Sequence, residues 1–434
     1  MATAPAQAPA ASAITATGSS QPRPSYRFAL SSLSSLFFLW GFLTCLNDTL
    51  IPHLKAAFSL SYTEASLIQF AFFTAYFLVS LPAGTLVKRL GYQRGIVVGL
   101  VIAGLGCALL YPAAAIRSYP SFLGALFTLA AGITVLQVSA NPYVAILGRP
   151  ETASARLTLT QALNSLGTVL APRFGKWFIL SASVAGAAAL SASEREAEVA
   201  SVQTPYMAIA GLLLAIAVVM ALLKLPTVVP AQALQDAGRT NTTSAWGYRH
   251  LVLGAVAIFV YVGGEVSIGS LLINFMGLKE IADMPATTAS DYLQLYWGGA
   301  MVGRFAGSFL LSRVRPGLLL AINASVVTCL VVLGILLTGH AAMWSILAVG
   351  LFNSIMFPTI FSLAVDGLGP LTEEGSGILC MAIVGGALVP PLQGKFADTL
   401  GLHASFMIPA VCYLYIVYYG LKGYRHASAA PAAV

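Results

Sequence analysis

Long apolar runs recur along the whole chain, separated by short polar intervals. Twelve of them come close to the ~20 residues that a helix needs to cross a bilayer at ~1.5 Å rise per residue. They cover roughly 28–52, 63–87, 95–115, 121–147, 156–182, 205–223, 250–276, 289–312, 317–338, 341–365, 375–398 and 405–422. The pattern predicts an all-α membrane protein with twelve transmembrane helices.

Composition agrees with the pattern. Of the 434 residues, 58% are hydrophobic and only 9% charged, and the mean hydropathy is +0.84. That places the chain in the lipid bilayer and excludes a soluble globular domain. The formal net charge of +7 would suggest nucleic acid in a soluble protein. Here the position of the charge decides, and no nucleic-acid partner is expected. With twelve spans, Arg23, Arg27, Lys88, Arg89, Arg94, Arg149, Arg156, Lys224, Arg239, Arg249, Arg313, Arg315, Lys422 and Arg425 fall on one side. Only Lys55, Arg117, Arg195 and Lys279 fall in loops on the other. This is the positive-inside bias, with both termini cytoplasmic; one span more or fewer would invert every later loop and destroy it. The five cysteines all sit in apolar segments and read as packing residues.

The expected organisation is a disordered cytoplasmic tail over 1–27 and a six-helix bundle over 28–223. A cytoplasmic linker over 224–249, a second six-helix bundle over 250–422 and a tail over 423–434 follow. The linker carries Pro226, Pro230, Gly238 and the polar run Thr240 to Ser244. The bundles repeat one another. Gly167-Thr168-Val169-Leu170-Ala171-Pro172-Arg173-Phe174-Gly175-Lys176 aligns with Gly386-Ala387-Leu388-Val389-Pro390-Pro391-Leu392-Gln393-Gly394-Lys395, which sets Pro172 on Pro391. Pro142 and Pro358 stand at nearly the same spacing, each late in the fourth span of its half. Two such pseudo-symmetric halves resemble the parallel repeat of the major facilitator fold, whose substrate site lies between the halves near the midplane.

The repeat directs attention to two acids. Asp48 lies near the end of the first run, beside Asn47. An offset between those two spacings, carried forward from Asp48, lands on Glu265 inside the seventh run. A carboxylate in hydrocarbon costs at least ~2.5–3.5 kcal/mol and reads by default as functional. One acid from each half would face a shared cavity and hold the coupling ion, the substrate or both. Around them the spans carry uncharged amides. Gln137 and Asn141 share a face of the fourth span, and Gln161 and Asn164 share a face of the fifth. Each amide offers donor and acceptor together, which suits sugar hydroxyls. The same residues would also serve as hydrogen-bonded contacts between helices. The second half adds Asn274 and Asn353, with Gln294 and Asn323 scattered elsewhere. Trp297, with Tyr292, Tyr296, Trp40 and Phe42, could cover the apolar face of a pyranose. Arg304 and Lys88-Arg89 read as gate or topology residues. All five histidines sit at span ends or in loops, so any transported proton must ride on carboxylates. There is no nucleophile–base pairing, paired metal histidines or phosphate loop, so an enzyme is not expected.

Several stretches together carry a resemblance. They are Leu39-Trp40-Gly41-Phe42, Leu46-Asn47-Asp48-Thr49-Leu50-Ile51-Pro52, Ala140-Asn141-Pro142-Tyr143-Val144, Arg156 to Gly167, Gln203-Thr204-Pro205-Tyr206-Met207 and Gly263 to Ser270. They resemble the fucose–galactose–glucose:cation symporter family, nearest its bacterial glucose/galactose permease branch, from about residue 33 to 422. The resemblance implies cation-coupled uptake of monosaccharides by alternating access at a bacterial inner membrane. It implies an acid at Asp48 and, in fucose permeases, a glutamate at the position of Gln137. This chain has an amide there, and Glu265 where the fucose permease has Gln, so the second acid has moved to the seventh span. Gly84-Thr85-Leu86-Val87-Lys88-Arg89-Leu90-Gly91 also resembles the superfamily's loop signature Gly-x-Leu-x-Asp-Arg-x-Gly, with Lys88 at the acidic position.

The expected function is a symporter importing D-glucose and D-galactose. No cofactor is expected. The coupling ion is H+ or Na+, with the proton preferred. If protons couple, protonation removes a buried charge and lets a cavity close. If sodium does, Asp48 and Glu265 become metal ligands. The alternatives are a symporter for L-fucose or another hexose, a non-transporting sugar sensor on the same fold, and an exporter of amphiphiles. The short tails argue against the sensor and the clustered amides against the exporter. A monomer would suffice.

Overall fold

The computed structural model describes residues 26–57, 62–116, 118–178, 203–226 and 244–425. Of the expected tails over 1–27 and 423–434 and the expected linker over 224–249, residues 1–25, 426–434 and 227–243 lie outside the described residues, as do 179–202. The described chain is helical: α1 Tyr26–Ala57, α2 Tyr62–Leu90, α3 Tyr92–Ala115, α4 Tyr119–Ile146, α5 Ala153–Phe178 and α6 Gln203–Leu222. After these come α7 Arg249–Met276, α8 Ala286–Leu311, α9 Pro316–Leu336, α10 Gly339–Asn353, α11 Met356–Val365, α12 Thr372–Met381, α13 Gly385–Leu400, α14 Leu402–Ser405 and α15 Met407–Tyr418. With α10–α11, α12–α13 and α14–α15 each counted as one broken rod, these make twelve helical segments among the described residues. Eight are long and apolar enough to cross a membrane. Phe28–Leu43 and Tyr206–Leu222 are shorter apolar stretches.

The breaks correct the reading of continuous runs over 341–365 and 375–398. Between α10 and α11 the helix opens at Ser354 and Ile355. The cause is Pro358, which has no N–H to give the carbonyl four residues back and whose ring crowds it. That carbonyl, Ser354 O, takes a bond from Arg304 Nε at 3.2 Å instead. Pro142 acts differently. It sits inside an unbroken α4, and the carbonyl it leaves free, Val138 O, accepts from Ser376 Oγ at 3.0 Å. Between α12 and α13 the chain tightens into a 3₁₀ turn over Ala382–Val384, just before Gly385 and Gly386.

Helices α1 and α5 pack along their length, α3 packs against α4 and α6, and α2 against α4. In the later part α7 packs against α13 and α15, α8 against α10, and α9 against α10 and α15. Between the two sets, α2 and α4 meet α12, and α5 meets α8 and α11. Small residues allow these approaches, as in other membrane helix pairs. A Cβ at Gly41 would collide with the Asn164 backbone, and one at Gly167 with the Phe38 carbonyl. The turn between α4 and α5 is held by Arg156. Its guanidinium donates to Ala145 O at 2.7 Å and Val144 O at 3.3 Å, satisfying carbonyls at the end of α4, and to Arg149 O in the turn at 2.8 Å.

Gly167→Val should therefore force α1 and α5 apart, at about 1–3 kcal/mol for overpacking. Thermal unfolding of the purified protein should show a melting point several degrees lower. Gly211→Val, where an added Cβ meets nothing within 4 Å, should leave it unchanged.

Candidate functional site

Glu265 lies in α7, half-buried, at the centre of a connected polar set. Tyr261 is one turn back on the same face, and its hydroxyl donates to Glu265 Oε1 at 2.8 Å. The same hydroxyl reaches Asn353 O at 3.2 Å. Asn353 is fully buried at the end of α10, and its Nδ2 donates to Tyr296 Oη at 2.9 Å. The Tyr296 hydroxyl faces Glu265 O at 3.5 Å. Tyr413 closes the set by packing its ring on Gly264, at 3.6 Å from the position a Cβ would take there. Arg304 reaches the same helix break, its Nε donating to Ser354 O. The helix break places this set: Asn353 and Ser354 present their carbonyls to side chains because the helix no longer consumes them.

The first half holds a matching pair. Gln137 is buried in α4, and its Nε2 donates to Tyr76 Oη at 2.6 Å. Gln137 and Asn353 stand as far apart in the chain as Pro142 and Pro358, and Tyr76 and Tyr296 are spaced almost equally. An amide–tyrosine pair thus recurs at equivalent places in both repeats. Asn141, one turn beyond Gln137, is fully buried, and neither its Oδ1 nor its Nδ2 has a hydrogen-bond partner among the described residues. An unpaired buried amide costs a few kcal/mol, so this group is suited to take a hydroxyl-bearing ligand or a water. Asn353 Oδ1 is buried and unpaired as well, among the described residues.

The remaining expected residues divide. Gln161 is buried on α5, one turn before Ser165, whose hydroxyl bonds back to Gln161 O at 3.1 Å. Asn164 turns toward α1 and donates to Phe37 O at 2.9 Å, so its amide nitrogen serves helix packing. Trp297 is 41% exposed and lies across Gly269, one turn from Glu265, with its ring edge-on to Tyr296 at 5.0 Å. Asn274 is not brought to the set. It is exposed, and its place in the helix puts it ~14 Å along α7 from Glu265 and half a rotation away. Asn47 and Asp48 lie on α1, with side chains outside the described residues. Among the described residues no three His, Cys, Asp or Glu gather as a metal site. His250 and His403 face backbone carbonyls, Asp366 O at 3.0 Å and Gly334 O at 2.7 Å. The sequence pattern alone does not single out Tyr76, Tyr261 or Ser376. The repeat offset is the signal available for Tyr76, since Tyr296 is already a candidate.

A family model described as Major Facilitator Superfamily matches residues 32–379. The chain is 57% identical over 399 residues to a protein of Brucella abortus biovar 1 (strain 9-941) named glucose/galactose transporter, covering 92% of this chain and 94% of that one. It is 37% identical over 405 residues to the L-fucose-proton symporter of Escherichia coli (strain K12), covering 90% and 92%. The chain belongs to the major facilitator superfamily. These relatives place it in the fucose–galactose–glucose symporter family. Its fold is that of a solved structure of FucP, a major facilitator superfamily transporter in the outward conformation: TM-score 0.82, 35% identity, over 91% of this chain and 98% of that one. The protein is accordingly a multi-pass plasma-membrane transporter and not an enzyme.

In this transporter a separate cavity of about 580 Å³ opens between α1 and α5, lined by Leu30, Ser31, Ser34, Ser35, Phe38, Leu39, Leu159 and Leu163. It shares no residue with the set around Glu265.

Tyr261→Phe removes the donor shared by Glu265 and Asn353 O. Leaving a buried acceptor unpaired should cost about 1–3 kcal/mol. The melting point should fall, whereas Tyr111→Phe, at a residue 49% exposed, should leave it in place.

Proposed function

We propose that the protein is a proton-coupled symporter that imports D-glucose and D-galactose by alternating access. The observation that carries this reading is Glu265: a carboxylate inside a span, bonded to Tyr261 beside the broken helix, in a chain 57% identical to a glucose/galactose transporter. In this reading Asp48 and Glu265 bind the coupling ion and hydroxyls of the sugar. Asn47, Gln137, Asn141, Gln161 and Asn353 supply further donors and acceptors, Trp297 stacks on the ring, and Asn164 serves packing of α5 on α1. Asn274 has no part in it. The proton is favoured over sodium because the Escherichia coli relative is an L-fucose-proton symporter.

The same relative favours L-fucose as the second reading. Against it stand the amide at Gln137 and the acid at Glu265, which rearrange the polar groups of the cavity. The working topology is twelve spans with both termini cytoplasmic, in bundles over 28–223 and 250–422 joined by 224–249, acting as a monomer. The inner end is then the one that carries Lys88 and Arg89, and the contacts between the bundles gather there. Ser154 Oγ and Ser362 Oγ are 2.6 Å apart, and Ser308 donates to Ala155 O at 3.1 Å. Ser376 reaches Val138 O, and Gly84 and Gly377 let α2 and α12 touch through backbone. This supports a state closed inside.

Proteoliposomes loaded with neither ion should accumulate labelled glucose and galactose under an inward proton gradient and not under an inward sodium gradient. Asp48→Asn and Glu265→Gln should each lose accumulation at least ~10-fold while exchange of preloaded sugar persists. Accumulation of L-fucose in preference to both hexoses would move the reading to fucose, and accumulation driven by sodium alone would remove the proton.

A further inference from the structure

Arg304 is a half-buried cation inside α8, where an arginine is expensive and reads as functional. Its Nε donates to Ser354 O at 3.2 Å, the carbonyl freed by Pro358, and its Nη1 donates to Ser165 Oγ on α5, in the other half. Tyr261 holds the neighbouring carbonyl: its hydroxyl is shared between Glu265 Oε1 and Asn353 O. Two consecutive carbonyls at one helix break are therefore tied to two different things. Asn353 O is tied to the intramembrane acid, and Ser354 O is tied through Arg304 to the contact between halves.

We infer that Arg304 is a positioning residue that carries a change at Glu265 to the inner closure. A change in what Glu265 accepts moves Tyr261, and Tyr261 shares its hydroxyl with the break. The break can turn only with Ser354, whose carbonyl is fixed to Arg304. Turning it pulls the guanidinium from Ser165 and loosens α8 and α11 from α5. The element with two arrangements is the interruption Ser354–Ile355, which no continuous helix would provide. This rests on Glu265 as a coupling residue of the proposed symporter.

The test uses the full chain in liposomes, with its five native cysteines replaced and a cysteine pair at Ser154 and Ser362 reporting the inner closure. In the Arg304 background, Glu265→Gln should slow disulfide formation at this pair roughly threefold or more. Arg304→Gln alone should slow it by a similar factor, and adding Glu265→Gln to it should change little, since the link is already cut. Ser165→Ala removes only the end on the other half and should reproduce the Arg304→Gln result; it carries the test if Arg304→Gln does not fold. Effects that multiply independently, or no effect of Glu265→Gln in any background, would overturn the inference. Sugar exchange in the same liposomes is read separately. Its absence in the unsubstituted protein for glucose, galactose and fucose would refute the proposed function while leaving the cross-linking result to stand.

Discussion

Two backbone carbonyls hold the centre of this molecule. Pro142 and Pro358 occupy equivalent places in the two repeats, and each deprives a carbonyl four residues back of its helical donor. In lipid such a group must find a partner, because no water is there to supply one. Val138 O finds Ser376, and Ser354 O finds Arg304. Ser376 belongs to the other half directly, and Arg304 reaches the other half through Ser165. The prolines thus convert bonds that would have stayed within one helix into bonds that span the interface. The rest of the arrangement depends on that exchange. The break after Asn353 exists because Pro358 does not continue the helix, and the break sets the carbonyls beside Glu265.

Apart from the Arg304 guanidinium on Ser165, the contacts between the halves through Ser154, Ser308 and Ser376 are uncharged. Lys88 stands where the superfamily's loop signature has an acid, and both Lys88 and Arg89 are exposed at the end of α2. Contact is made instead by serine hydroxyls, by backbone, and by glycines at Gly84 and Gly377 that leave no Cβ between α2 and α12. Acids do occur at this end, and Glu374 shows what they do. Its Oε1 accepts from Ser244 Oγ at 2.8 Å and Ala245 N at 3.0 Å, which fastens the chain leading into α7 to the first turn of α12. Neutral hydrogen bonds contribute about 1 kcal/mol each, so several together can seal an interface that still has to open.

Much of this is legible in the sequence, for physical reasons that differ from residue to residue. Apolar run length fixes where helices lie, because the bilayer admits little else. A nearly constant repeat spacing, seen in Pro172 with Pro391 and Pro142 with Pro358, relates the halves, and it points from Asp48 to Glu265. The same offset contains the pairing of Gln137 with Tyr76 and Asn353 with Tyr296, but a tyrosine in an apolar run carries no mark of where its hydroxyl points. Asn164 and Asn274 show the limit of reading amides as ligands. One is consumed by Phe37 O and the other points away from Glu265 along α7, and composition alone does not distinguish either from Asn353. Arg304 is legible as a gate residue. That it bonds to the carbonyl which Pro358 releases requires the fold.

The central claim is that proline-freed carbonyls hold closed the end that carries Lys88 and Arg89. Paired spin labels at the exposed residues Arg89, at the end of α2, and Arg313, in the turn just after α8, report that opening as a distance. With Ser376→Ala, which removes the donor to Val138 O, the distribution should shift toward longer inner distances without added sugar. An unchanged distribution in a folded Ser376→Ala protein would contradict the account.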